Sequence, residues 1–273
     1  MSNGKAAYTH GYHGSVLRSH SNRTVENSAQ YLMDVLLNEL RPGIRLLDVG
    51  SGAGTITADF AGRLPAGHVT ALEAVEEALN LTRAEVSRHG LTNVDFVVGD
   101  VHALDFPDDS FDVVHAHQVL QHVRDPIQAL REMRRVCKPG GLVAARDADY
   151  AGFVWFPESP ELDQWMRWYQ QAARTNGGEP DAGRFLLYWA HQAGFTEVVS
   201  TSSTWCLSTP EARGWWGGMW AERILESKIA TQLRDEGIAT QAELERVSKA
   251  WQTWARENSG WMSIVHGEIV CRV

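Results

Sequence analysis

The stretch Leu46-Leu47-Asp48-Val49-Gly50-Ser51-Gly52-Ala53-Gly54-Thr55 decides the fold of this chain. An apolar run ends in Asp-x-Gly-x-Gly-x-Gly, and a pattern typical of a helix follows it. In α/β proteins, a strand, a glycine turn and a helix N-terminus in this order form a nucleotide-binding crevice. The glycines let a ligand approach the backbone where a Cβ atom would clash.

The glycine turn differs from two related phosphate-binding motifs. A dinucleotide site reads G-x-G-x-x-G, whereas here position 55 is Thr and the third glycine comes one residue early; a P-loop needs a Lys that is missing here. Asp48 at the mouth of the turn would repel a pyrophosphate, but it suits a ligand that carries an ammonium group. S-adenosylmethionine has an ammonium group, a sulfonium and no phosphate, so the turn favours this cofactor.

Acidic residues end the next two predicted strands. Residues 68–73 read as a second strand that ends in Glu73, about twenty residues past the turn, where an acid binds ribose hydroxyls. Residues 94–101 read as a third strand ending in Gly99-Asp100, where a carboxylate can accept a hydrogen bond from an adenine amino group. A fourth strand at 110–118 and a fifth at 137–145 follow.

Over residues 41–146, this series of elements resembles class I S-adenosylmethionine-dependent methyltransferases. It is most similar to the ubiquinone/menaquinone-biosynthesis C-methyltransferases and to natural-product methyltransferases. The resemblance implies an α/β fold with a Rossmann-like, doubly wound, seven-stranded sheet whose last strand is antiparallel. It also implies S-adenosylmethionine as the cofactor and the following cofactor-binding residues: Arg23, Asp48, Gly50, Ser51, Gly52, Gly54, Glu73, Ala74, Gly99, Asp100, Val101, His102, His117 and Gln118.

Three residues are candidates for the catalytic role. His122 stands where related enzymes often carry a His before a helix, and a neutral imidazole there could take a proton from the acceptor. Tyr12 and His13 belong to an N-terminal segment that, by resemblance, can fold over the site as a lid, and Arg23 could pair with the cofactor carboxylate. Two alternatives stay open: His122 satisfies local backbone groups, and the N-terminal segment is a solvated arm.

A metal site is conceivable but is not predicted. His115 and His117 share one strand face, and Asp147 and Asp149 end the fifth strand. The sequence has no recognised triplet of ligands, and His pairs on strands are common without a metal.

The sequence predicts a core that is interrupted by a mostly helical, Trp-rich cap. All eleven tryptophans lie between Trp155 and Trp261. Both predicted inserts leave from the carboxyl ends of parallel strands, where ligands bind in open α/β sheets. The tryptophans therefore either line an acceptor site or hold the cap together. The expected parts are an arm and lid helix at 1–40, a cofactor-binding core at 41–150, cap inserts at 151–182 and 206–260, a core helix and sixth strand at 183–205, and a last core strand at 261–273.

Four predicted helices in these parts have bounds that a structure can test. The sequence predicts one helix from Thr24 to about Leu40 and an aromatic helix over 155–175. It also predicts helical stretches at 209–236 and 240–257.

The composition of the chain limits the classes of partner that it can bind. The chain has 273 residues and a net charge of -9, which argues against nucleic acid and anionic membranes and favours a small-molecule acceptor. No apolar stretch is long enough for a membrane span, and the N-terminus lacks the apolar region of a signal peptide. Three distant cysteines indicate reduced thiols and a cytoplasmic protein. The Trp-rich cap and the N-terminal helix are compatible with a homodimer.

The leading hypothesis is an enzyme that methylates a small, aromatic or isoprenoid-like metabolite at C, O or N, in secondary or quinone-like metabolism. A second hypothesis is a protein that binds S-adenosylmethionine without methyl transfer, either a regulatory subunit or a cyclase on the same fold. The glycine turn and the acidic residues after it do not distinguish these two hypotheses, because they indicate cofactor binding and not catalysis. A third hypothesis, a nicotinamide oxidoreductase, would be supported by retention of that cofactor on purification.

Overall fold

A mixed sheet of eight strands forms the centre of the computed structural model, which describes residues 23–36 and 42–273. The strands are β1 Arg45–Val49, β2 His68–Glu73, β3 Val94–Val98, β4 Phe111–His117, β5 Cys137–Ala148, β6 Val154–Phe156, β7 Glu197–Leu207 and β8 Trp261–Arg272. The helices are α1 Val25–Ser28, α2 Gln30–Leu36, α3 Thr55–Arg63, α4 Glu76–Arg88, α5 Pro126–Val136, α6 Pro160–Thr175, α7 Leu186–Gln192, α8 Pro210–Glu226, α9 Lys228–Asp235 and α10 Gln241–Arg256.

The order of the strands is that of a doubly wound sheet. β1 to β5 pair in parallel in the order β3-β2-β1-β4-β5, and β8 follows antiparallel to β5. β7 pairs with the other edge of β8, also antiparallel. This arrangement confirms the predicted α/β fold with an antiparallel last strand. The short strand β6 is an addition that pairs with the start of β8.

The helix predicted over 155–175 begins later than expected. Residues 154–156 form β6, and the helix α6 starts at Pro160, where the Ser159 hydroxyl accepts a hydrogen bond from Leu162 N. Proline disfavours the helical conformation of the residue before it, so Pro157 and Pro160 keep Phe156 and Ser159 extended.

The long helix predicted over 209–236 is two helices. Ser227 is extended, with a ψ angle of 175°, and separates α8 from α9. Its hydroxyl donates to Arg223 O at 2.7 Å, which is the local side-chain bond that competes with a continuous helix. The N-terminal helix is likewise broken at Ala29, and residues 37–41 lie outside the described part.

The cap lies over the carboxyl ends of the parallel strands. Its apolar cluster contains the fully buried Trp165, Trp220 and Trp251 and also includes Ala148 at the end of β5 and Leu207 at the end of β7. The rings of Trp165 and Trp251 meet edge to face with centroids 4.8 Å apart. These three tryptophans therefore hold the cap together, as one of the two alternatives predicted. In the described residues, no helix combines the length and the apolar character that a membrane crossing requires.

Candidate active site

The glycine turn after β1 has a left-handed backbone at all three glycines. The φ angles of Gly50, Gly52 and Gly54 are 70°, 56° and 82°, a region that side chains disfavour. A Cβ atom on Gly54 would lie 2.6 Å from the Cα of Thr82, so this glycine lets α3 approach α4 closely. Gly54 does not border the cavity described below, and its place in the structure is that of a packing residue.

Asp48 is buried beneath the turn and is already hydrogen-bonded. Its Oδ2 accepts from the Thr57 hydroxyl at 2.6 Å, and its Oδ1 pairs with His115 Nδ1 at 2.8 Å. These bonds tie β1 to β4 and to the start of α3. Asp48 also borders the cavity, and its role as a cofactor-binding residue stays a prediction.

Two further carboxylates lie at the ends of β2 and β3. Glu73 accepts from Gly52 N at 2.7 Å and from Ala74 N at 3.1 Å, which fixes its direction next to the turn. Burial raises the pKa of Glu73 above its usual value, while these two backbone bonds act in the opposite direction. Asp100 accepts from the backbone N and from Nδ1 of His102, at 3.0 Å and 2.7 Å.

The carboxyl end of β4 holds a polar network centred on Gln118. This residue has a φ angle of 54°, which is uncommon for a residue with a side chain. Its Oε1 accepts from Arg23 Nη2 at 3.0 Å, and its Nε2 lies 3.1 Å from Nε2 of the buried His266. A neutral His266 accepts this bond, and burial lowers its pKa well below the usual value. The network ties Arg23 to the carboxyl end of β4.

Two histidines near this network differ in their environment. His117 is buried, and in the described part of the chain neither of its ring nitrogens has a hydrogen-bond partner. Burial, followed by the charges of Arg23 and Arg146, holds the pKa of His117 well below its usual value. In contrast, His122 Nε2 lies 3.0 Å from Gln121 Nε2, and burial with the charge of Arg23 lowers the pKa of His122 to about 3. Both rings are therefore neutral at pH 7.

One cavity of about 650 Å³ joins these groups to the cap. Its walls contain most of the predicted cofactor-binding residues: Arg23, Asp48, Gly50, Ser51, Gly52, Glu73, Ala74, Gly99, Asp100, Val101, His102, His117 and Gln118, together with His122. The cap supplies the opposite wall, chiefly through Tyr150, Phe153, Trp205, Trp216 and Arg223.

Three predicted site residues are not among the described walls of the cavity. Gly54 packs against α4 instead, whereas Tyr12 and His13 lie outside the described residues, so their roles stay predictions. Among the residues that the structure describes, no three His, Cys, Asp or Glu side chains are grouped as a metal ion would need.

Comparisons with known proteins agree with this geometry. A family model described as a methyltransferase domain matches residues 40–211. A methyltransferase of Schizosaccharomyces pombe is 35% identical over 273 residues, which cover 96% of this chain and 95% of the yeast protein. The chain belongs to this methyltransferase family. The predicted enzyme class is therefore confirmed.

Other similarities are narrower or more distant. The ubiquinone/menaquinone biosynthesis C-methyltransferase UbiE of Vibrio parahaemolyticus is 42% identical over 103 residues, or 37% of this chain and 40% of that enzyme. The crystal structure of the [4+2]-cyclase SpnF covers 97% of this chain and 88% of that chain, with a TM-score of 0.52 and 23% identity. The first confirms the predicted similarity to that branch over part of the chain, and the second shows the shared fold.

The sequence did not single out the cap residues of the cavity. Tyr150, Phe153, Trp205, Trp216 and Arg223 all border it, but no sequence motif marks any of them as a site residue. The clustering of all eleven tryptophans between Trp155 and Trp261 was the one feature of the sequence that indicated an aromatic lining in this part of the chain.

Proposed function

We propose that this methyltransferase transfers the methyl group of S-adenosylmethionine to a small aromatic or isoprenoid-like molecule. One observation carries the proposal: a single cavity runs from the glycine turn and its acids to an aromatic wall in the cap. The two substrates of a transfer reaction would therefore meet inside one cavity, which would fix their relative orientation.

The residues at the sheet end of the cavity fit S-adenosylmethionine. Gly50 and Gly52 border the cavity with a left-handed backbone, which lets a ligand approach the turn closely. We assign the ribose hydroxyls to Glu73, whose carboxylate is held by two backbone bonds at the end of β2. Asp100 and His102 border the same cavity after β3, and we assign them to the adenine. Arg23 borders the cavity and suits the carboxylate of the methionine part.

When bound, the cofactor supplies a methyl group on a positively charged sulfur. Transfer of this methyl group to an acceptor atom would leave the electron pair of the broken bond on sulfur, and the acceptor would release a proton. The cap residues Phe153, Trp205 and Trp216 provide apolar surface that would hold a ring or prenyl chain against this centre.

His117 and His122 are better suited to orienting the acceptor than to acting as a general base. A ring with a pKa of about 3 is a weak base at neutral pH, so His122 is poorly matched to proton removal. His117 borders the cavity, and neither of its ring nitrogens has a partner among the described residues, so the neutral ring can donate one hydrogen bond and accept another. We therefore assign His117 the main role in orienting the acceptor, with His122 beside it.

The test is a transfer assay with methyl-labelled S-adenosylmethionine and a panel of phenols, hydroquinones, indoles and prenylated quinols. We expect labelled product and an equal amount of S-adenosylhomocysteine from at least one class. Calorimetry with S-adenosylhomocysteine on the same sample reports cofactor binding independently of the acceptor.

The outcomes separate the three hypotheses. Cofactor binding without labelled product from any acceptor would contradict methyl transfer to these classes and support a binding protein or cyclase. Binding of a nicotinamide dinucleotide, with none of S-adenosylhomocysteine, would contradict the assignment of the glycine turn.

A further inference from the structure

The position of Arg23 at the cavity depends on the short helix α1. Arg23 directly precedes Thr24, the N-cap residue of this helix. The Thr24 hydroxyl accepts from Asn27 N at 3.3 Å, and the side chain of Asn27 accepts from Thr24 N at 2.9 Å. These reciprocal bonds form a capping box, which ties the N-cap residue to the first turn. Arg23 is therefore placed by the same contacts that place α1.

Contacts with other elements decide where α1 lies, because a helix of four residues has little stability of its own. Val25 is fully buried, and its backbone N donates to Asp59 Oδ2 at 2.8 Å, which attaches α1 to α3. Asn27 O accepts from Trp205 Nε1 at 2.9 Å, which attaches α1 to β7.

The indole of Trp205 is itself held by buried groups of the sheet. Arg146 Cζ lies 5.2 Å from the centroid of the indole, and the rings of Trp205 and His266 have centroids 4.7 Å apart. Arg146 is 1% exposed and pairs with Glu268 at 3.1 Å. The indole N–H is thus an ordered donor for the backbone of α1.

Trp205 also lies between two cavities. It borders the cavity of the candidate site and a second cavity of about 600 Å³. Residues of both α1 and β7 line this second cavity, so the two elements are not packed directly together along it. The indole bond connects them across this gap.

We infer that Trp205 is a positioning residue for the cofactor: its indole N–H holds α1, and α1 places Arg23 at the cavity. This inference rests on the proposed function, in which Arg23 pairs with the methionine carboxylate of the cofactor. A two-pronged contact between a guanidinium and a carboxylate needs a fixed orientation, so a displaced α1 weakens it. Because the ring of Trp205 belongs to the aromatic wall, one side chain serves both substrates.

The experiment is a double-mutant cycle that is measured by calorimetry with S-adenosylhomocysteine and needs no acceptor. Trp205→Phe removes the indole N–H and keeps an aromatic ring, and Arg23→Met removes the guanidinium. We expect Trp205→Phe to weaken binding about 3- to 10-fold, the range for the loss of one neutral hydrogen bond. In the Arg23→Met background, the same change should have almost no further effect, because Trp205 acts through Arg23.

Thr24→Ala tests the same connection from outside the walls of the cavity. It removes one half of the capping box and leaves Trp205 unchanged. We expect it to weaken binding of S-adenosylhomocysteine about as much as Trp205→Phe does, and to have almost no further effect in the Arg23→Met background.

Trp254→Phe is the matched control. Trp254 Nε1 also donates to a backbone oxygen, that of Phe156 at 3.1 Å, but Trp254 does not border the cavity. This variant should bind S-adenosylhomocysteine as the wild type does. Urea unfolding checks the fold of every variant.

Three results would overturn the inference while the wild type binds S-adenosylhomocysteine. They are an unchanged affinity in Trp205→Phe, an equal loss of affinity from Trp205→Phe with and without Arg23, and an equal loss in Trp254→Phe. The second result would place Trp205 directly against the cofactor. A wild type that does not bind S-adenosylhomocysteine at all would contradict the proposed function and the inference with it, which keeps the two failures distinct.

Discussion

Glu73 is the residue whose contribution to cofactor binding is easiest to isolate. Its carboxylate is oriented by the backbone N–H groups of Gly52 and Ala74 and borders the cavity. Glu73→Ala should weaken S-adenosylhomocysteine binding by about 1–3 kcal/mol, because buried ribose donors lose a charged acceptor. Glu76→Ala is the control, since Glu76 pairs with Arg83 at the surface of α4. Calorimetry on both variants decides; equal affinities would mean that Glu73 does not face the ribose.

His117 and His122 should differ in their effects on turnover. His117→Ala should lower kcat/KM by roughly 10²-fold if its free ring nitrogens orient the acceptor, whereas His122→Ala should have a smaller effect. Cofactor affinity should stay within a few-fold of wild type in both variants. A profile of kcat against pH supports the distinction: removal of a general base would change it, and removal of an orienting group would not. A larger loss in His122→Ala would restore His122 as the base.

At the scale of single residues, the sequence predicted the site residues that lie at a fixed spacing from the glycine turn. Glu73 and Asp100 were placed by their spacing from the glycine turn, and both border the cavity. The bond between Asp48 and His115 was not predictable, because it joins residues 67 positions apart through the register of β1 with β4. Arg223 was missed for the same reason, since its place depends on how the cap folds over the sheet.

At the scale of elements, the parallel strands were predictable and two helix ends were not. Short apolar runs bounded by polar or glycine-containing segments define β1 to β5. The break at Ser227 depends on a single hydroxyl, which donates to Arg223 O within an otherwise helical pattern. The spacing of apolar residues does not reveal such a hydrogen bond, so the sequence pattern predicts one long helix.

The close contact between α3 and α4 at Gly54 is a second feature of element packing. A Cβ atom on Gly54 would meet the backbone of Thr82, whereas one on Gly90 would meet nothing within 4 Å, although Gly90 has a similar φ angle of 65°. Gly54→Ala should therefore lower the free energy of unfolding by about 1–3 kcal/mol more than Gly90→Ala does. Urea unfolding of both variants measures this difference. Equal losses would show that backbone conformation alone requires glycine at position 54.

At the scale of the whole molecule, the cap and the sheet form one structure around the cavity. The cap cluster extends from Trp165 and Trp251 to Met262 and Ile264 in β8, which is also the strand that joins β5 to β7. The cap therefore cannot be removed without exposing the centre of the sheet. The same packing places the aromatic wall opposite the glycine turn and fixes the width of the cavity.

Asp147 lies where these parts meet, and its titration should affect the stability of the whole chain. It is fully buried at the end of β5, and its Oδ1 accepts from Gln121 N at 3.0 Å. Burial raises the pKa of Asp147 to about 7, from 3.8 in the unfolded chain. The folded state thus holds the proton more tightly, so the stability due to this proton is complete below pH 3.8 and is lost as the pH rises towards 7.

Asp147→Asn should remove this loss and keep the hydrogen bond to Gln121, because the amide oxygen still accepts. Relative to wild type, its free energy of unfolding should increase between about pH 4 and pH 7, by a few kcal/mol, and stay constant above pH 7. The buried histidines titrate in part of the same range with the opposite sign, but they are present in both proteins and cancel in the difference. Asp149→Asn is the control. Asp149 accepts two hydrogen bonds of 2.6 Å from Arg184, so replacing its carboxylate should destabilise the protein at pH 7.

Urea unfolding at each pH gives the comparison. A difference that does not change between pH 4 and pH 7 would show that the carboxylate of Asp147 is ionised in the folded state throughout this range.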